Sequence, residues 1–128
     1  MPNIGRIQRA IEALQGLRER LESLPSCSFD MTYWRDDCGT RGCAAGWFSI
    51  LGTFEAESFF CGARGPVLHG KTDLTAPETL AELFEIPKGV ASDIFMPSGP
   101  DEPLFGYRAL DAVVAKLRSL LPTTDHQP

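Results

Sequence analysis

What this sequence lacks narrows it before any motif is read. No stretch of its 128 residues approaches the roughly 18 consecutive apolar residues that a bilayer-crossing helix needs. The first residues, Met1-Pro2-Asn3-Ile4-Gly5-Arg6, hold no basic stretch followed by an apolar core. No secretory signal is therefore expected, and the cytoplasm is the expected compartment. There is no Gly-x-Ser-x-Gly elbow, no His-Glu-x-x-His pair and no phosphate-binding glycine loop, so those hydrolase, zincin and nucleotide signatures are missing. Basic residues are thin where they would matter for nucleic acid. Residues 51–105 carry nine acids (Glu55, Glu57, Asp73, Glu78, Glu82, Glu85, Asp93, Asp101, Glu102) against three bases (Arg64, Lys71, Lys88), a local charge of -6 within a net charge of -5. Phosphate backbones need clustered Lys and Arg, so no nucleic-acid partner is expected. An acidic middle fits a solvated surface, and it also suits a basic protein partner.

What is present reads as one globular domain, with 43% hydrophobic and 23% charged residues. Ile4, Ile7, Ile11, Leu14, Leu17, Leu21 and Leu24 recur at steps of three and four, which predicts an amphipathic helix over about 3–24, stopped by Pro25. The stripe is narrow and nearly heptad, yet with about three repeats it is expected to pack on its own domain rather than on a second copy. Residues 28–34 alternate, placing Phe29, Met31 and Tyr33 on one side of a short strand or extended lead-in. Arg35 to Gly39 reads as a turn, and Thr40 is the expected cap of a helix from about Arg41 to Leu51, ended by Gly52. That helix is apolar nearly all round, which places it at the centre of the core.

The stretch from Phe54 to Gly70 is ambiguous. Phe59-Phe60-Cys61 is core-like, and Val67-Leu68-His69 suggests a brief strand between turn glycines. Thr75-x-x-Glu78 is a capping box opening a helix that turns Leu80, Leu83 and Phe84 inward until Pro87. A short helix with Val90, Ala91, Ile94 and Phe95 follows, then the loop Pro97 to Pro100. A last helix carries Leu110, Val113, Val114, Leu117 and Leu121. The expectation is a mainly α, compact helical domain around a central buried helix over residues 1–121. A short β-hairpin (an α+β alternative) and a disordered tail at 122–128 complete it.

The chemistry-bearing candidates centre on cysteine: Cys27, Cys38, Cys43 and Cys61. A cytosolic chain is not expected to hold structural disulfides. Cys43, in the first turn of a helix capped by Thr40, would meet unpaired N–H groups that favour a thiolate, and His69 is the one histidine outside the tail to serve as its base. The arrangement is locally similar to a papain-like protease, where a Cys-Gly pair precedes a cysteine at a helix start, but the Gln that supplies an oxyanion donor there is missing here. Apolar neighbours work against the dipole, and a buried packing thiol is the expected role. Zinc on Cys38, Cys43 and Cys61, with Cys27 or His69 to complete a tetrahedron, is the third reading. It lacks a second closely spaced pair.

Residues 80–95 have the apolar rhythm of a helix-turn-helix, with Glu85 where the turn usually carries Gly. Glu78, Glu82, Glu85 and Asp93 on that hairpin would repel DNA, and they are the candidate contacts to a basic protein. The paired acids Asp36/Asp37, Asp101/Glu102 and Glu55/Glu57 read as surface charge, because general acid–base work needs two carboxyls in unlike environments.

The string Cys38-Gly39-Thr40, Cys43-Ala44-Ala45-Gly46, led by Tyr33-Trp34, resembles a group of small, largely uncharacterised bacterial and bacteriophage proteins. Their shared pattern is Cys-Gly-Thr-x-x-Cys-x-Ala-Gly followed by an apolar helix. Leu83-Phe84-Glu85-Ile86 and Ile94-Phe95 are similar to the group's later helix ends, with Glu85 in place of Gly. Where some members carry His after the Ala-Gly pair, this chain has Trp47. The resemblance spans roughly residues 28–121. It implies a fold and a phage or mobile-element setting, with no activity attached. The function expected is a non-enzymatic interaction or modulator module acting on another protein, with no cofactor and no membrane association. A thiol enzyme and a zinc-stabilised module are the alternatives.

Overall fold

A computed structural model describes residues 2–23, 28–31, 34, 41–62, 65–71, 73–96 and 105–122. The chain runs α1 (Ile4–Ser23), β1 (Ser28–Phe29), β2 (Arg41–Gly42), α2 (Ala44–Leu51), a 3-10 turn (Glu55–Glu57), β3 (Phe59–Gly62), β4 (Gly65–Leu68), α3 (Ala76–Phe84), α4 (Lys88–Phe95) and α5 (Gly106–Arg118). The protein is mainly helical with a short antiparallel hairpin. That hairpin lies in the stretch whose pattern was ambiguous: Phe59 faces Leu68, Phe60 faces Val67, and Gly62 faces Gly65. Its inner side is Phe59, Cys61 and Leu68, all buried, while Phe60 points out. The His69 N–H donates to Ser58 O at 3.0 Å. This sets the alternation so that Pro66, opposite Cys61, falls at a pair whose N–H groups point away from the partner strand. Its missing donor therefore costs the ladder nothing and blunts the outer edge of β4.

The helix after the cysteine-rich string is central, as its all-round apolarity required. Ala44, Ala45, Gly46, Trp47 and Phe48 are all buried. Phe48 sits at the middle of an aromatic cluster, edge-on to Phe54 at 5.3 Å, to Phe84 at 6.2 Å and to Phe95 at 6.3 Å. Phe84 stacks on Phe95 at 5.6 Å. Edge-to-face pairs of this kind contribute roughly 0.5–1.5 kcal/mol each beyond the area they bury. Gly52 ends α2 in the left-handed region at φ 70°, returning its N–H to Phe48 and Ser49 carbonyls.

The start of α2 differs from the expectation. Arg41 and Gly42 are strand, paired in parallel with Ser28 and Phe29, and Asp30 N–H donates to Gly42 O at 2.9 Å. That pairing keeps the backbone extended as far as Cys43 (φ -78°, ψ -176°), so the helix opens at Ala44 and Cys43 is its N-cap, not a first-turn residue. Thr40 lies outside the described residues, as do Cys27, Cys38, Tyr33, the turn from Arg35, the loop from Pro97 and the tail from 123.

The first stripe turns inward. Ile7, Ala10, Ile11, Leu14 and Leu17 are buried, and α1 packs against α5, α2 and α3 of its own chain. The predicted capping box is complete: Thr75 Oγ1 accepts from Glu78 N at 3.3 Å, and Thr75 N donates to Glu78 Oε1 at 2.8 Å. The helices α3 and α4 form the expected hairpin, joined through Glu85, which caps α3 at φ 56°.

Candidate functional site

Cys43 stands where a strand hands over to a helix, the position a nucleophile would need. Its surroundings oppose ionisation of the thiol. The residue is 2% exposed. Its Sγ makes no side-chain capping hydrogen bond, and the contact it donates is a long one, to Trp34 O at 3.7 Å. Trp47, one turn on, locks the junction from the other side by donating Nε1 to Ser28 O at 2.9 Å. Burial pushes the thiol up to about 11, against the pull of the Gly46 and Ala45 amides, and the charge of Asp30 adds to the rise. Desolvation outweighs the helix terminus. At pH 7 about one molecule in 10⁴ would carry a thiolate.

His69 is exposed on the turn after β4, held at φ 53°, and among the described residues no hydrogen bond joins it to Cys43. Cys61 is fully buried on the inner side of β3, its Sγ near Gly62 O at 3.8 Å. Among the described residues no group of three or more His, Cys, Asp or Glu side chains comes together as a metal site would. Of the paired acids, Glu55 is exposed, whereas Glu57 turns inward and binds arginine. Asp36, Asp37, Asp101 and Glu102 lie outside the described residues.

The four acids of the helical hairpin are placed differently from one another. Glu78 is held by Thr75, a neutral donor, which keeps its carboxyl below the usual range. Glu85 Oε2 accepts from Asn3 Nδ2 at 2.7 Å, again a neutral donor. Glu82 is the one that is neutralised, by Lys71 Nζ at 3.1 Å. Asp93 is exposed, and its backbone carbonyl accepts from Lys116 Nζ at 2.8 Å. Glu78 and Glu82, four residues apart in α3, share one flank of the helix, and Glu85 follows at its left-handed cap. Glu78 and Glu85 are each fixed by a neutral hydrogen-bond partner, with the charge of Lys88 also acting on Glu78.

Three features escaped the sequence reading. Asp30 is a buried carboxylate, 8% exposed, in the extended segment where alternation predicted only that Phe29 and Met31 share a side. Glu57 gathers Arg9 and Arg6 from α1, and Arg9 also covers the Phe54 ring at 5.0 Å. Both arginines lie on the polar side of α1, and no local spacing links them to residue 57. At the start of α5, Phe105 is 63% exposed, and Tyr107 beside it is covered by Arg18 at 4.7 Å, which in turn binds Asp111. An isolated Phe before a Gly-Tyr pair gave no signal of exposure.

No protein-family model, no curated protein and no solved structure matches the chain.

Proposed function

We propose that this domain is a non-enzymatic interaction module that binds and modulates another protein, with a basic partner meeting the acidic flank of α3 and α4. The observation that carries the reading is the way Glu78 and Glu85 are held. Thr75 and Asn3 orient these carboxylates through neutral donors, and Lys88 acts on Glu78 more weakly than Thr75 does. A partner's Lys or Arg would therefore meet ordered, charged acceptors, with less side-chain entropy left to lose on binding. The buried, protonated state of Cys43 supports a scaffold role for α2. The likeness of the Cys-Gly-Thr string to bacteriophage proteins extends the reading to an accessory protein acting on a host protein.

The test is affinity capture from a bacterial lysate with the wild type and with E78Q/E82Q/E85Q/D93N, followed by a salt wash. Gln at 78 can still complete the capping box, and Gln at 85 can still accept from Asn3, so the variant removes charge while keeping both anchors. Expected is a basic protein retained by the wild type, released as salt rises, and absent from the variant. Equal capture by both proteins would defeat the acidic flank as the contact surface. A failure to capture anything, together with a measured turnover, would defeat the interaction reading itself.

A further inference from the structure

We draw no further inference here: the strongest candidate, the outer face of the β3–β4 hairpin where the Phe60 and Trp34 rings lie against the facing pair Gly62 and Gly65, is an apolar surface for which nothing in the structure shows what covers it.

Discussion

Asn3 and Glu85 tie two helix ends together. The Asn3 side chain caps α1 by accepting from Arg6 N at 3.1 Å, and its Nδ2 donates to Glu85 Oε2 at 2.7 Å. The Asn3 backbone N–H meets Phe84 O at 2.9 Å, and Arg6 reaches Leu83 O at 2.9 Å. Carbonyls that α3 would leave without intrahelical partners are thus satisfied by the first turn of α1. This accounts for Glu at a position where helical hairpins usually carry Gly. The residue accepts a left-handed backbone at φ 56° and gains an acceptor for Asn3.

The two terms separate by substitution. Glu85→Ala loses the Asn3 bond and keeps the left-handed strain, whereas Glu85→Gly loses the bond and relieves the strain. The Gly variant is expected to be more stable than the Ala variant by about 1 kcal/mol in urea unfolding. Gly52→Ala supplies the converse. A methyl at Gly52 would meet nothing within 4 Å, so its expected cost of about 1 kcal/mol is conformational alone. Equal midpoints for E85A and E85G would show that the backbone carries no strain there.

Glu57 is the acid whose loss should be felt most. It takes a two-pronged bond from Arg9, at 3.1 and 2.5 Å, and lies 3.6 Å from Arg6. Its side chain is 12% exposed, which reduces solvent screening, although Arg9 at 42% is well hydrated. Glu57→Gln is expected to destabilise by about 1–3 kcal/mol at pH 7, measured by denaturant unfolding. Arginine holds the Glu57 carboxyl below its ordinary value of 4.5. A folded-state value below the unfolded one means that the contribution is complete above pH 4.5 and fades as pH falls through the lowered folded value. The gap between wild type and E57Q should therefore be largest near neutrality and close in strong acid. A gap that stays constant down to pH 2 would exclude the ion pair as its source.

How much was legible in the sequence follows from the range of the forces involved. Local patterns carried through: the α1 stripe, the capping box at Thr75, the Gly52 terminator and the two α3–α4 helices rest on spacing within a few residues. The start of α2 did not, because Arg41 and Gly42 are drawn into a pairing with Ser28 and Phe29 that lies beyond any local window. The hairpin was half legible. Its glycines marked the turns, but Phe59 to Gly62 alternates buried and exposed over just four residues, too few to establish a period of two. For the acids, spacing along α3 was readable, whereas the neutral anchor of Glu85 comes from Asn3, 82 residues away.

Phe48 should be the most costly single truncation in the core. It is fully buried and contacts Phe54, Phe84 and Phe95, so it joins α2 to the 3-10 turn, α3 and α4 at once. Phe48→Ala is expected to cost about 3–5 kcal/mol, enough in a domain of this size to lower the melting temperature by more than 10 °C or abolish the cooperative transition. Phe60→Ala provides the contrast. That ring is 56% exposed, and its loss should cost under about 1 kcal/mol. Calorimetry of both variants checks the order, and a Phe60 effect as large as that of Phe48 would mean that the hairpin's outer face is part of the core.

Cys43 gives the sharpest test of whether the helix at the centre is scaffold or reaction centre. With the thiol 2% exposed and raised to about 11, alkylation in the folded protein has two obstacles, a scarcity of thiolate and a closed approach. Iodoacetamide at pH 7.5, followed by peptide mass mapping, should leave Cys43 unmodified over hours in buffer and label it within minutes in urea. Raising the pH to 9 should multiply the thiolate fraction by about 30 yet leave it at about 1%, so labelling of the folded protein should rise but stay far slower than in urea. An activated cysteine would behave in the opposite way, reacting in the native state within minutes and faster than in urea. That result would require an open path to the sulfur and would put the thiol-enzyme alternative ahead of the interaction module.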